Sequence, residues 1–391
     1  MTAIELENRY SAHNYEPLPV VLTRGRAAHL WDTSGRRYID MMSAYSAVSV
    51  GHAHPRILAT LSEQAHRLAV PSRAYYNDRL NPFLEALCKL TGLDAALPMN
   101  SGAEAVETAI KAARRWGQQV KGVASPEIIV AKGNFHGRTT TVISFSSEEE
   151  YRDGFGPFTP GFRLVPFGDL EATRAAVSER TVAVLVEPIQ GEAGVIMPPP
   201  GFLAGLRQLC TGHGILMIAD EIQSGLGRTG DTFACSAEGV VPDAYLLGKA
   251  LGGGIVPVSA MVSTWPVLGV LQPGQHGSTF GGNPLACAVA REVIAMLRSG
   301  EYQAHSALLG RRMHERLAAL PGGAVRAVRG RGLWAGLEFA ALSGREVCER
   351  LAARGVLAKE THGTMIRLAP PLVISQDDLD WGLDRIEDVL L

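Results

Sequence analysis

Excess charge of either sign is missing from this 391-residue chain: 37 Lys and Arg stand against 39 Asp and Glu, a formal net charge of −2. With no basic field, nucleic acid and anionic membrane surfaces are not expected partners. Long hydrophobic runs are missing too; VAVLVEPI and ILMIAD are strand-length and far short of a bilayer span. Cysteine is scarce. The five present, Cys88, Cys210, Cys235, Cys287 and Cys348, are scattered, odd in number and never paired as C-x-x-C. That usage suits reduced thiols in a cytosolic protein and argues against a disulfide framework. No HExxH and no Cys/His cluster occurs, so no metal site is expected. The opening MTAIELENRYSAHNYEP carries acids early and no apolar segment, and reads as neither a secretory signal nor a transit peptide. What remains is globular material, 46% hydrophobic and 19% charged, enough for one large and one small domain.

Short apolar runs alternate with helical patterns through most of the chain. Strands are predicted at 127–132, 140–145, 182–188, 215–221, 244–249 and 258–263. Several are apolar at consecutive positions, as strands covered on both faces by helices are. Helices are predicted between them at 101–116, 169–179 and 201–213. This alternation argues for a parallel-rich α/β sheet. Beyond about residue 305 the texture becomes that of a smaller α+β unit, with helices at 306–319, 343–354 and from Ser375. The first 55 residues carry hairpin-like pieces with a turn at Ser34–Gly35. The expected division is an N-terminal segment (1–55) packing on the small domain or a partner subunit, a large domain (56–300) and a small domain (301–391).

In DAYLLGKALGGGI, Lys249 stands between a strand-like run and a glycine triplet, with no acid within five residues on either side. Such a lysine either bends back to solvent along its stem or is a desolvated amine able to form a Schiff base. In LPMNSGAEAVETAIKAAR, Ser101 and Glu104 form a capping-box pattern, and Gly102 lets a ligand approach a helix N-terminus suited to a phosphate. In ILMIADEIQSGLGRTG, a strand delivers Asp220 and Glu221 at its carboxyl end, where α/β sheets place ligands. Lys249 lies one crossover further on. An amine, an anion and a phosphate seat are the needs of pyridoxal 5′-phosphate.

The ordered stretches MNSGAEAVETAIKAAR, GNFHGRTT, VEPIQGEAGV, IADEIQSGLGRTG, LLGKALGGG and GSTFGGNPLACAVA resemble the class III aminotransferases, fold-type-I enzymes that use this cofactor, over nearly the whole chain. The resemblance implies a large domain with a mixed, mostly parallel seven-stranded sheet covered by helices, plus a small α+β domain. It implies that Lys249 holds the cofactor, that Asp220 keeps the ring nitrogen protonated and that Gln223 bonds the ring oxygen. Phe135 and Ile222 would press on the two ring faces, beside His136, which stands where the animal ornithine enzymes are expected to carry tryptophan. Ser101, Gly102 and Ala103 would bind the phosphate. Ser278 and Thr279 would complete the cofactor site, Thr279 reaching the phosphate from the neighbouring subunit of a homodimer.

Within the family, HNYEPLPV, SAYSAVSVGHAHP, SRAYYN, DGFGPFTPGF and AKETHGTMIRLAPPLVI look most like the ornithine δ-aminotransferases, which pass an amino group from L-ornithine to 2-oxoglutarate. By that likeness Arg138 and Tyr15 would bind the far carboxylate end of ornithine, and Tyr45 would disfavour donors lacking an α-carboxylate. Arg367 would bind 2-oxoglutarate or glutamate, with Glu192 as its removable partner. Rival readings are an aminotransferase for acetylornithine, a lysine-related carrier or γ-aminobutyrate, and a racemase or epimerase on the same fold. A dinucleotide module around Gly252–Gly254 lacks the G-x-G-x-x-G spacing after a first strand. His52, His54 and His276 have no ligand spacing and receive no catalytic role.

Overall fold

The structure, a computed structural model, describes residues 1–320 and 323–390. Residues 321, 322 and 391, which fall in the expected C-terminal domain, lie outside the described residues. The centre is a seven-stranded sheet built from β1 (Ala95–Met99), β2 (Glu127–Ala131), β3 (Phe162–Val165), β4 (Thr181–Val186), β5 (Leu216–Asp220), β6 (Ala244–Leu247) and β7 (Ser259–Ser263). Its order is β1-β7-β6-β5-β4-β2-β3. β7 runs antiparallel to both neighbours, and the remaining pairings are parallel.

Every residue of β4, β5 and β6 is buried. Alternation explains how a continuous apolar run fills two cores at once. Val184, Val186, Met217, Ala219, Tyr245 and Leu247 enter one cluster. Ala183, Leu185, Leu216, Ile218, Ala244 and Leu246 enter the opposite one. Helices Phe202–His213 and Pro284–Leu297 cover the first face, and Gly102–Gln119 covers the second.

Two strands were not evident in the sequence, β1 and β3, and they are the two edges of the sheet. Edge strands are short and half-solvated, and they tolerate proline, here Pro98, because one side of the ladder needs no donor. One predicted strand is wrong. Residues 140–145 contain the helix Thr140–Ile143, capped by the Thr139 hydroxyl, which accepts from the Val142 N–H at 3.4 Å. The side-chain cap outweighs the β preference of Thr and Val in so short a segment.

The C-terminal part carries an antiparallel sheet of Val325–Gly330, Ala335–Phe339, Met365–Leu368 and Lys359–Thr361. The N-terminal strands Leu22–Arg26, His29–Asp32 and Arg37–Asp40 form a third sheet, to which Val356–Leu357 adds in parallel. Ala28, Ile39 and Met41 share a core with Leu309, Leu337, Leu351 and Leu383.

Candidate active site

β5 runs parallel to β4 and β6, so Asp220, Glu187 and Lys249 all emerge at one rim of the sheet, its carboxyl edge. They line a cavity of about 180 Å³ together with Gly102, Ala103, Phe135, His136, Glu192, Ile222 and Gln223. Lys249 opens a one-turn helix with its backbone at φ +43°, a left-handed conformation that β-carbon crowding disfavours. Burial pushes its ammonium below the usual lysine range, against the pull of Glu192, Asp220 and Glu187. The lysine lines the cavity at the sheet's carboxyl rim, which favours the desolvated amine over a side chain bent back to open water.

Asp220 is buried, and its Oδ2 lies 2.7 Å from Nδ1 of the equally buried His136. Its Oδ1 accepts from the Ile222 N–H at 3.1 Å. Burial works against a charged His136, but the hydrogen bond and charge of Asp220, with Glu187, outweigh it and raise the imidazole. Glu187, one residue past β4, was not singled out from the sequence. Burial lifts its carboxyl to about 7, and it accepts from the Phe135 N–H at 2.9 Å and the Gly191 N–H at 3.3 Å. The rule that selects Asp220, an acid at the end of a buried strand, would have found it. Glu221 is the contrary case: it accepts from Ser224 Oγ at 2.6 Å, Ala234 N at 3.0 Å and Cys235 N at 2.8 Å, and serves structure.

At the helix Gly102–Gln119 the capping box is complete. Ser101 Oγ accepts from the Glu104 N–H at 3.2 Å, and Glu104 Oε2 accepts from the Ser101 N–H at 2.7 Å. The first-turn donors left for a ligand are those of Gly102 and Ala103, both of which line the cavity, whereas Ser101 is exposed and committed to Glu104. Gly137, at φ +124°, allows the loop after β2 to lie on Ala103, whose Cβ would stand 2.8 Å from an added β-carbon. Ile222 packs against the same helix end, and Phe135 stands edge-on to Tyr151 at 6.1 Å. Gln223 donates its amide to Glu192 Oε1 at 3.1 Å.

Arg367, buried on the strand Met365–Leu368, donates to Glu192 Oε1 at 2.5 Å. Burial would raise Glu192, but Arg367, with Lys249 and Arg138 adding, holds its carboxylate below the ordinary value. The guanidinium also lies over the Tyr45 ring, 5.1 Å from its centroid. Tyr45 belongs to a run of four consecutive left-handed residues, Ser43, Ala44, Tyr45 and Ser46, with φ from +46° to +73°. Left-handed helix costs an L-residue roughly 1–2 kcal/mol, so surrounding contacts must hold this turn.

Other expected residues lie outside the cavity. Arg138 is exposed, its guanidinium 3.6 Å from the Tyr151 ring centroid. Tyr15 is 80% exposed on the N-terminal segment, near enough to Tyr45 to act on its phenol. Thr279 and Ser278 line a separate pocket with Val70, Pro71, Ser72, Arg73 and Gly277. Ser278 Oγ also accepts from Asn100 Nδ2 at 2.8 Å, next to the helix cap.

The donor set suits pyridoxal phosphate. The amine of Lys249, the carboxylate of Asp220 and the N–H groups of Gly102 and Ala103 converge on one cavity. Its walls also carry His136 Nε2 and Gln223 Oε1, buried polar atoms that meet no partner among the described residues. Such atoms call for a polar ligand. The described residues hold no cluster of three or more His, Cys, Asp or Glu able to bind a metal.

The chain is similar to known proteins over nearly its whole length. The family model described as "Aminotransferase class-III" matches residues 10–390. The ornithine aminotransferase of Bordetella pertussis is 55% identical over 389 residues, 98% of this chain and 94% of its own length. The solved ornithine aminotransferase of Toxoplasma gondii, whose description mentions PLP at the active site, superposes with a TM-score of 0.97 at 40% identity, over 99% of this chain and 93% of its own. The acetylornithine aminotransferase of Elizabethkingia anophelis superposes at 0.89 with 43% identity, over 99% of this chain and 97% of its own.

Proposed function

The chain belongs to the class III aminotransferases, and from that premise we propose that it transfers the δ-amino group of L-ornithine to 2-oxoglutarate, forming glutamate 5-semialdehyde, which cyclises to pyrroline-5-carboxylate, and glutamate. Its pyridoxal 5′-phosphate supplies, when bound, an electron sink for the pair released at the amine-bearing carbon. Lys249 would hold the cofactor through Nζ, and the same amine would take the proton from the substrate carbon. Asp220, steadied by His136, is the anion for the ring nitrogen. Gly102 and Ala103 hold the phosphate, with Ser101 setting the helix end. Ile222 and Phe135 bracket the ring, and Gln223 serves its oxygen. Arg138 and Tyr15 receive the far carboxylate of ornithine.

The observation that carries the choice of substrates is the Glu192–Arg367 pair beneath Tyr45. Two substrates must react in alternation, one at a terminal amine and one at its α-carbon, so the carboxylate-binding arginine near the site must be masked for the first and open for the second. A paired charge in a water-poor pocket is only marginally favourable once desolvation is counted, and a substrate carboxylate replaces Glu192 at little net cost. Half-reactions followed by absorbance with ornithine, acetylornithine and γ-aminobutyrate test the reading. Ornithine should react fastest, and faster turnover of acetylornithine would transfer the assignment to that donor.

Glu192→Ala leaves Arg367 permanently open. The glutamate half-reaction should hold or improve, while ornithine enters the wrong way round and reacts at its α-amine. Discrimination between the two amines should fall about 10- to 100-fold, or ~1.4–3 kcal/mol of differential transition-state binding. Product analysis for δ- against α-transamination measures it. Full δ-selectivity with both half-reactions slowed equally would make Glu192 a structural residue.

We extend the proposal to a homodimer with shared sites in a reducing, cytoplasmic compartment. Among the described residues no helix is long and apolar enough to cross a membrane, and all five thiols are unpaired. Thr279 lines a pocket separate from its own chain's cavity, and exposed Tyr75, Tyr76 and Phe280 flank that pocket in sequence. Mixed Lys249→Ala and Thr279→Ala subunits should form hybrids in which one site carries both lesions and the other neither. Activity should then rise above that of both variant homodimers. No such rise would refute sharing through Thr279.

A further inference from the structure

The left-handed run Ser43–Ser46 contains no glycine or asparagine, so something other than local preference must hold it. The contacts around it supply an answer. Asp40, at the end of the strand Arg37–Asp40, is buried and accepts from the Met42 and Ser43 N–H groups through Oδ1, each at 2.8 Å. Its other oxygen, Oδ2, lies 2.7 Å from Nε2 of His52. His52 in turn is fixed by reciprocal backbone bonds with Ala27 at 2.9 Å. The loop from Met41 to Gly51 is thus closed across its neck by one carboxylate–imidazole contact. Within the loop, the Ser43 hydroxyl donates to the Ala369 carbonyl, two residues beyond Arg367. Ser49 Oγ donates to the Ser46 carbonyl at 2.8 Å and accepts from buried Arg228 at 2.9 Å. The Ser43 end of the strained turn is therefore tied to the neck and to the chain just beyond the strand that carries Arg367, and the Ser46 end is tied through Ser49 to Arg228.

We infer that Asp40 and His52 are positioning residues for donor selection: their contact locks the left-handed turn that sets the Tyr45 ring over Arg367. Neither lines the cavity, and the side chain of the turn that reaches Arg367 is Tyr45. The inference deepens the proposed function and rests on its reading of Tyr45 as the residue that disfavours donors lacking an α-carboxylate. Without the staple the turn relaxes toward right-handed or extended backbone, the ring swings off the guanidinium, and the pocket loses its shape at the substrate's carboxylate end.

The test uses the loaded holoenzyme and reads the ratio of kcat/KM for ornithine to that for γ-aminobutyrate. His52→Ala removes the donor to Asp40 and should lower the ratio about 10-fold, the scale of a small misplacement of a substrate-facing group. His52→Gln, which can still donate, should restore most of it. In a Tyr45→Ile background, His52→Ala should add nothing, because a residue acting through Tyr45 has no effect once Tyr45 is gone. His52→Leu, which keeps bulk without the donor, gives the same reading should His52→Ala fail to fold, and thermal melting checks each variant. The inference is overturned if Tyr45→Ile moves the ratio while the His52 variants do not, or if the two effects multiply in the double variant. A Tyr45→Ile enzyme with the parental ratio would instead bring down the reading of Tyr45 itself.

Discussion

Lys249→Ala enzyme should bind its cofactor without covalent attachment and slow the ornithine half-reaction by at least about 10⁴-fold, the upper end of what a positioned proton-transfer group contributes. The large value follows from a double duty. In the proposed mechanism the same Nζ would both anchor the cofactor and carry the proton at the reacting carbon, so one substitution would remove both. Its setting adds to the effect. Burial pushes the amine below the ordinary lysine range, while Glu192, Asp220 and Glu187 oppose the shift, so it is a readier proton acceptor than a lysine in water. An added small amine should recover part of the rate by supplying the base from solution. Borohydride reduction of the parent followed by peptide mapping should place the cofactor on Lys249. A label on another lysine, or a variant that keeps turning over, would remove Lys249 from its role. The backbone makes a separate demand: position 249 sits at φ +43°, so alanine inherits the strain without relieving it, and the fold should be retained.

Much of this site is legible in the sequence because the chemistry sits at strand ends, and buried parallel strands announce themselves as unbroken apolar runs. Lys249, Asp220 and the Ser101–Glu104 cap all follow from that punctuation. What the sequence hides is direction. Asp220 and Glu221 look equivalent as neighbours, yet successive strand residues face opposite ways, and only Asp220 enters the cavity while Glu221 ties down the Ala234–Cys235 backbone. The turn that carries Tyr45 is hidden for another reason. Nothing in Ser-Ala-Tyr-Ser signals left-handed backbone, because the conformation is held by Asp40 just before the turn and by Ala369 and Arg228, which are far away in the chain. Ser101 shows a third limit. A cap and a phosphate ligand call for the same residue type, and here the hydroxyl goes to Glu104. The edge strands β1 and β3 escape notice because only half of each needs to be apolar.

The Asp220→Ala enzyme should lose at least ~10²-fold in the rate of the ornithine half-reaction, the scale seen when a preorganised electrostatic partner is removed from a dry site. Ring nitrogen chemistry requires a fixed negative charge opposite it, and the cavity is lined by three carboxylates. Glu192 is committed to Arg367 at 2.5 Å. Glu187 is lifted to about 7 by burial, with Asp220 adding and His136 opposing, so near neutral pH it carries a proton for a large part of the time. Asp220 lies against His136 at 2.7 Å, whose imidazole it raises, and takes a backbone N–H on its second oxygen, with no arginine among the described residues in contact to occupy it. Removing it has a second consequence: the buried His136 N–H loses its acceptor, which costs about 1–3 kcal/mol of stability and lowers the melting temperature without abolishing the fold. Asp220→Asn separates the two effects. The amide keeps the volume, its oxygen still accepts from the Ile222 N–H, and its NH2 can donate to His136 Nδ1 once the imidazole proton sits on Nε2. The melting temperature should therefore recover while the rate stays low, because a neutral amide gives a protonated ring nitrogen no negative charge. A half-reaction near the parental rate in both variants would mean that another acid faces the ring. The carboxylate placed to take over is Glu187, and a pH profile centred near its value of about 7 would identify it.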